Sequence, residues 1–147
     1  MRIYIGSDHA GFKLKNELVP FLRGLGYEVI DKGPENLDEK DDYPDYIEPV
    51  SREVSENDDV KGIIIGGSGQ GEAMTANRFK GVRAVVYYGG PKEIVELSRK
   101  DNDSNVLSLG ARFIDDETAK GMAKLWLDTP FSGEERHARR IKKVDSV

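Results

Sequence analysis

The segment from Gly62 to Gly81 of this 147-residue chain reads GIIIGGSGQGEAMTANRFKG and combines alternating glycines with a carboxylate. Three isoleucines precede the glycines, and Glu72 directly follows the last glycine of the run, Gly71. Glycines lack a Cβ, so backbone N–H groups can converge on one point, and the start of a helix adds partial positive charge there. The pattern predicts an anion-binding loop with a carboxylate beside it.

The adjacent carboxylate narrows the chemistry of such a loop. The segment lacks the Gly-Lys-Ser/Thr ending of a P-loop and the glycine spacing of a dinucleotide-binding turn. A tight turn, with Glu72 as a partner of the helix dipole, is the purely structural interpretation. The functional interpretation is proton abstraction next to a carbonyl. Glu72 would move the proton, backbone N–H groups from Ser68 to Gly71 would stabilise an enediolate oxygen, and the Ser68 hydroxyl would add a donor.

Two further groups of polar residues could bind an anionic substrate. Asp8 and His9 follow the first predicted strand, where they could contact sugar hydroxyls or phosphate, although Asp8 could equally cap the next helix. Near the C-terminus, Arg136 and Arg140 lie four residues apart with His137 beside them. On a helix they would share one face as a phosphate clamp, or they would simply be solvated cations near the helix C-terminus.

Composition excludes several classes of function. The net charge is −5, which argues against nucleic-acid binding because that function usually needs a basic field. There are no cysteines and only two histidines, so disulfides and thiolate metal sites are excluded and a histidine-rich metal site is not expected. We expect catalysis without metal or cofactor. No apolar run reaches the length of a membrane span and no signal-peptide pattern is present, so we expect a cytoplasmic protein without a membrane partner.

The elements that must position these residues alternate between strands and helices. Such alternation, with strands that are continuously apolar, predicts a parallel sheet covered by helices on both faces. We therefore expect one three-layer α/β/α sandwich over residues 1–147, with a basic helix at about 133–144. Ligands of such folds bind at the carboxyl ends of the strands. The predicted strands are 2–6, 27–33, 60–67, 82–88 and 105–110.

A series of motifs in a fixed order makes the chain resemble a known family. The segments IGSDHAGFKLK, VIDKGP, DYPDY, GGSGQGEAMTANRFKGVRA, LSRKDNDSNVLSLGAR and ERHARR occur in that order. The chain is similar to the ribose-5-phosphate isomerase B and galactose-6-phosphate isomerase family, and the similarity covers nearly its whole length. The resemblance implies a Rossmann-like fold, aldose–ketose isomerisation of a sugar phosphate, and dimers or tetramers whose active sites are shared between subunits.

The resemblance also implies roles for individual residues around the glycine loop. Many members carry a catalytic cysteine at the position of Gly66, whereas a second branch uses a glutamate after the loop, which matches Glu72. Asp8 and His9 would contact the sugar phosphate with Tyr43 nearby. The hole for the enediolate would be formed by Gly67, Gly69 and Gly71.

The remaining implied roles concern phosphate binding and a second subunit. Arg136, His137 and Arg140 match the phosphate clamp, while Asn102 and Arg112 match residues contributed by a neighbouring subunit. Family members acting on ribose 5-phosphate usually have a ring-opening histidine before that asparagine, and this chain has Asp101 there. The resemblance therefore gives Asp101 a catalytic position, and with Asn102 of the neighbouring subunit it would contact the sugar hydroxyls.

The favoured substrate pair is ribose 5-phosphate and ribulose 5-phosphate. The alternatives are another pentose phosphate or a hexose 6-phosphate of the allose or galactose type. A non-catalytic sugar-phosphate-binding protein is the alternative from another class. Glu72 argues against it, because a carboxylate facing an anion site is unfavourable for binding alone.

Overall fold

The computed structural model describes all residues from 1 to 147 and consists of five strands and six helices. The strands are β1 (Arg2–Ser7), β2 (Glu28–Asp31), β3 (Val60–Gly66), β4 (Ala84–Tyr87) and β5 (Val106–Gly110). The helices are α1 (Phe12–Gly24), α2 (Pro44–Glu56), α3 (Gln70–Ala76), α4 (Glu93–Lys100), α5 (Asp116–Asp128) and α6 (Glu135–Asp145).

All strand pairs are parallel, and the strands lie in the order β2-β1-β3-β5-β4. This is the predicted three-layer α/β fold. The edge strands β2 and β4 are shorter than the apolar runs that predicted them, 28–31 against 27–33 and 84–87 against 82–88. An edge strand has a neighbour on one side only, so its hydrogen-bonded ladder can end before its apolar pattern does.

Two hydrophobic clusters hold the helices against the sheet. Alternate strand residues point to opposite faces, so Ile63 and Ile65 face one layer of helices and Ile64 faces the other. The larger cluster packs α1, α4 and α5 against the sheet, and the smaller packs α2 and α3. The parallel strands bring every carboxyl end to one edge of the sheet, and β3 delivers the glycine loop there.

The basic helix α6 is attached to the opposite edge of the sheet. The Arg83 guanidinium, just before β4, donates to both carboxylate oxygens of Asp145 at 3.1 and 2.9 Å. Its Nε and Nη2 donate to the Asp103 carbonyl, in the turn that leads into β5. Arg83 thus ties the C-terminal end of α6 to the amino ends of two strands. None of the six helices has both the length and the apolar character that crossing a membrane requires.

Candidate active site

The glycine loop joins β3 to α3 at the carboxyl edge of the sheet. Gly69 adopts φ +80°, a left-handed conformation that strongly favours glycine, and α3 begins immediately after it. Most of the loop's backbone donors are unused. The N–H groups of Gly67, Ser68, Gly69 and Gly71 donate to no protein acceptor, whereas the N–H of Gln70 donates to the Ser68 hydroxyl at 3.3 Å. Free N–H groups at the start of a helix can bind a negatively charged oxygen.

Glu72 lies in the first turn of α3 with only 4% of its surface exposed. Its carboxylate sits against the backbone of Gly66, at the end of β3. A Cβ at residue 66 would overlap this carboxylate. A side chain at position 66 and the carboxylate of Glu72 therefore compete for the same space, and Gly66 leaves that space to Glu72.

The surroundings of Glu72 favour its protonated form. Burial raises the pKa of its carboxyl above the ordinary value, and the negative charge of Asp8 raises the pKa further. The hydrogen bond from its own backbone N–H lowers the pKa, but burial is the larger effect. A carboxylate whose pKa is moved toward neutrality accepts a proton more readily and is better suited to general base catalysis.

Asp8 and His9 lie in the turn between β1 and α1. Asp8 is buried, and its Oδ1 accepts a hydrogen bond from the Gly11 N–H at 3.0 Å, so it closes the turn that leads into the helix. Its charge also acts on Glu72 and on His9. His9 Nδ1 lies 2.7 Å from Oδ1 of Asp41, a residue of the loop before α2. The contact between His9 and Asp41 was not predicted from the sequence.

Tyr43 and Arg112 cover the glycine loop from two sides. The Tyr43 ring lies over Gly71, so close that a Cβ on residue 71 would be 2.7 Å from the phenol oxygen. The Arg112 guanidinium lies over Gly67, where a Cβ would be 3.0 Å from Nη1. Arg112 makes no ion pair, so its charge is available to a ligand, and it acts on His9 across the site. The loop, Glu72, Asp8, His9, Tyr43 and Arg112 form what we call the carboxyl-edge cluster.

A second group of predicted residues lines a groove at the amino ends of the strands. Asp101, Asn102, His137 and Arg140 border this groove together, and we call them the amino-edge cluster. His137 Nε2 lies 3.3 Å from Asp101 Oδ1 and 3.1 Å from Glu134 Oε2. Glu134 was not predicted as a site residue, although its spacing of three residues from His137 on a helix would have indicated the contact.

Arg136 stands apart from this groove. Its guanidinium forms an ion pair with Glu134 at 3.1 Å, and 59% of its side chain is exposed. Arg136 and Arg140 are both exposed at the surface of α6, as a phosphate clamp for a ligand from outside the chain would require.

The two clusters cannot meet within one chain. Strand β5 has five residues, so its two ends lie about 16 Å apart at the usual rise of a strand. One cluster lies at each end. Asn102 precedes β5 and Arg112 follows it, so a single subunit does not present both residues at one edge of the sheet. Helix α4 runs antiparallel to the strands and ends at the amino edge of the sheet, where Asn102 lies. Strand β5 then crosses the sheet and ends at the carboxyl edge, where Arg112 lies.

Comparison with known proteins identifies the family. Residues 3–144 match the family model described as Ribose/Galactose Isomerase. Ribose-5-phosphate isomerase B of Escherichia coli is 40% identical over 146 residues, covering 99% of this chain and 95% of that protein. The enzyme of that name from Mycolicibacterium paratuberculosis is 37% identical over 142 residues, or 96% and 87% of the two chains.

A solved structure shows the same fold with a ligand. Ribose-5-phosphate isomerase B from Mycoplasma genitalium, with bound ribulose 5-phosphate, superimposes with a TM-score of 0.94 at 37% identity. The match covers 99% of this chain and 94% of that one. The resemblance inferred from the order of the motifs is thereby confirmed, and the chain belongs to the ribose/galactose isomerase family.

Proposed function

We propose that the chain is an aldose–ketose isomerase that interconverts ribose 5-phosphate and ribulose 5-phosphate by proton transfer through a cis-enediolate. The observation that carries this proposal is the buried Glu72 carboxylate beside a loop of free backbone N–H groups. The relatives named above act on or bind these sugar phosphates. The reaction needs no metal or cofactor, since it moves a proton between adjacent carbons without net oxidation.

The proton transfer can be written with the residues of the carboxyl-edge cluster. Glu72 takes the proton from C2 of the open-chain aldose, and the electrons of the C–H bond form a C1–C2 double bond while O1 becomes an oxyanion. A proton then passes from O2 to O1, and Glu72 returns its proton to C1. The product is the 2-ketose, with every proton and electron pair accounted for.

The loop would stabilise the oxyanion of this intermediate. The N–H groups of Gly67, Ser68, Gly69 and Gly71 are available to it, with the Ser68 hydroxyl as a further donor. One donor of this kind typically lowers the barrier by about 2.7–4 kcal/mol, because it is fixed in place before charge develops. Asp8 and Tyr43 would hold the sugar hydroxyls beside Glu72.

The phosphate would lie between cations from two subunits. We propose a homodimer, or a tetramer built from such dimers, in which the amino-edge cluster of one subunit meets the carboxyl-edge cluster of the other. His9 and Arg112 would then bind the phosphate from one side, and Arg136 and Arg140 from the other. The separation of the clusters along β5 supports this arrangement, because one chain alone cannot present both to a pentose phosphate.

Complementation of two inactive variants tests the shared site. We expect Glu72→Gln and Arg140→Ala each to lose activity, because each removes one half of both sites. After subunit exchange in an equal mixture, half of the dimers are hybrids with one intact and one doubly defective site, so activity should return to about one quarter of the wild-type level. Each variant exchanged with itself is the control. A mixture that stays inactive, with hybrid formation verified by mass spectrometry, would contradict the shared site.

Opening of the furanose ring is assigned to the pair formed by Asp101 and His137. A ring-opening group must donate a proton to the ring oxygen and accept one from the C1 hydroxyl. An ionised carboxylate cannot donate, but an imidazole can do both. His137 lies between Asp101 and Glu134, so its Nε2 faces two carboxylates rather than a free anion site. This environment favours a proton carrier over the phosphate contact expected from the sequence.

His137→Asn separates ring opening from proton transfer. Ribulose 5-phosphate is an open-chain ketose, so exchange of its C1 protons in deuterated water requires Glu72 but no ring chemistry. We expect the variant to turn over ribose 5-phosphate at least about tenfold more slowly, within the usual contribution of general acid–base catalysis. C1 exchange, followed by NMR, should change little. An equal loss of both rates would show that His137 serves binding or assembly instead.

The alternatives make different predictions for the same purified protein. An isomerase of a hexose 6-phosphate would convert allose 6-phosphate or galactose 6-phosphate faster than ribose 5-phosphate. A protein that only binds sugar phosphate would leave the C–H bonds of every substrate unexchanged in deuterated water. Conversion of ribose 5-phosphate with a higher kcat/KM than either hexose phosphate is the expected result, and the reverse order would overturn the choice of substrate.

A further inference from the structure

Asp41 is a buried carboxylate with a single partner. Its side chain is only 3% exposed although it belongs to the loop between β2 and α2. One oxygen, Oδ1, lies 2.7 Å from His9 Nδ1, and the other, Oδ2, is buried without any hydrogen-bond partner. Burying an ionised carboxylate is unfavourable unless a nearby charge compensates for it. The contact with His9 is the compensation that this site offers.

We propose that Asp41 is a positioning residue that holds the His9 imidazole as a cation, with Nε2 free for the phosphate group of the substrate. The proposal rests on the proposed function for the identity of the phosphate ester, while the charge state of His9 is independent of it. Binding of Nδ1 to Asp41 fixes the ring, and Nε2, on the other side of the ring, has no partner in the chain. The side chain of His9 remains 31% exposed, so a ligand can reach it.

The charges around His9 favour the imidazolium form. The hydrogen bond that His9 Nδ1 donates to the Asp41 carboxylate is the largest influence and raises the pKa of His9 above its ordinary value. The negative charges of Asp8 and Asp41 act in the same direction, while burial and the positive charge of Arg112 oppose them. Asp41 thus allows two cations, His9 and Arg112, to face one ligand. Without Asp41, the positive charge of Arg112 would favour the neutral form of His9.

The position of Asp41 explains why a second carboxylate is needed. Asp8 already accepts from the Gly11 N–H and lies near Glu72, whose proton affinity it influences. The Asp41 carboxylate, in contrast, makes its only hydrogen bond with His9. The charge of His9 can therefore be set without using the carboxylate that also tunes the base.

The test follows the pH dependence of phosphate affinity. The pKa of His9 is raised in the folded protein, so wild-type affinity should persist at low pH and decline only as the pH rises through that raised pKa. In Asp41→Asn the decline should begin at lower pH. We expect KM for ribose 5-phosphate to increase about tenfold at pH 8 and about twofold or less at pH 6, with kcat little changed, because phosphate contacts lie away from the reacting carbons.

Glu39→Gln is the matched control. It removes one negative charge from the same loop, but Glu39 is exposed and makes no contact with His9. Its KM should follow that of the wild type at every pH. Because the ionisation of the ligand itself is the same for all variants at a given pH, differences between variants report on the protein. Equal pH profiles for Asp41→Asn and Glu39→Gln would overturn the proposal.

Two measurements keep the proposal testable even if ribose 5-phosphate is not the substrate. The chain has only two histidines, so the imidazole of His9 can be titrated by NMR and assigned with His9→Gln. Its pKa should fall in Asp41→Asn, and inorganic phosphate should bind that variant more weakly at pH 8. A double variant decides whether Asp41 acts through His9: adding Asp41→Asn to His9→Gln should produce no further loss of phosphate affinity. An unchanged titration of His9, or an additive loss in the double variant, would contradict the assigned role.

Discussion

Replacing Glu72 with glutamine is expected to lower kcat for ribose 5-phosphate by about 10²–10⁴, the usual contribution of a general base. Glutamine has nearly the same shape but cannot accept the proton from C2. The measurement is the initial rate of ribulose 5-phosphate formation by the two purified proteins. Substrate affinity should be largely retained, because the contacts with the phosphate and the glycine loop remain.

The pH profile of the same two proteins identifies the group that titrates. The pKa of Glu72 lies above its ordinary value of 4.5, so kcat/KM of the wild type should fall as the pH drops through this raised pKa and the base becomes protonated. The residual activity of Glu72→Gln should lack that acid limb. Because burial disfavours the charged carboxylate, the variant should be at least as stable as the wild type near neutral pH. A variant with wild-type kcat would remove Glu72 from the mechanism.

Replacing Gly66 with alanine is expected to reduce kcat/KM about 100-fold or more, because a displacement of about 1 Å at a catalytic group can have that effect. The added Cβ would overlap the carboxylate of Glu72. The carboxylate is the end of a flexible side chain, so it can move aside while the backbone keeps its fold. The chemistry would be lost through the position of Glu72, although residue 72 itself is unchanged. Steady-state kinetics together with the thermal unfolding midpoint separate this effect from unfolding.

Gly121→Ala is the matched control for that substitution. Gly121 lies within α5, and a Cβ there would meet no atom within 4 Å. The same chemical change should leave the kinetics intact and stabilise the helix by about 0.4–1 kcal/mol. If Gly66→Ala retained wild-type activity, Glu72 could act from another position, and the close packing of the two residues would have no catalytic meaning.

Most of the fold was predictable because its signals are local. The apolar run at 63–65 predicted a buried strand, and all three isoleucines are buried in β3, which lies between β1 and β5. The alternation of strands and helices predicted the parallel sheet and both helical layers. The strand order was not predicted, since five short apolar runs differ too little to reveal their neighbours. The edge strands were predicted too long because hydrophobicity does not report where a ladder of hydrogen bonds ends.

The carboxyl-edge cluster was predictable to the extent that its residues follow strands. Directly after β1 come Asp8 and His9, and Glu72 follows the glycine loop at the end of β3. A parallel sheet brings such positions together. The contact between His9 and Asp41 was missed because it joins residues 32 apart, one of them in an irregular loop. Burial of a loop carboxylate depends on tertiary packing, and no local pattern in the sequence reports it.

The location of the amino-edge cluster was not predictable from the sequence. Its residues were named from the resemblance, but the sequence did not reveal that they lie at the far edge of the sheet from Glu72. The contact between His137 and Asp101 joins residues from α6 and the end of α4, two elements whose packing no periodicity predicts. Through this contact the imidazole of His137 lies next to Asp101, the residue at the position where related enzymes usually have the ring-opening histidine.

The central claim is that Glu72 carries a proton between C2 and C1 of a sugar phosphate. We would test it by incubating ribose 5-phosphate with the wild-type protein in deuterated water and following the reaction by NMR. We expect ribulose 5-phosphate with deuterium at C1, because the proton held by the Glu72 carboxylate exchanges with solvent before it is returned. Equal conversion and deuterium incorporation by Glu72→Gln, or no conversion by the wild type at all, would contradict it.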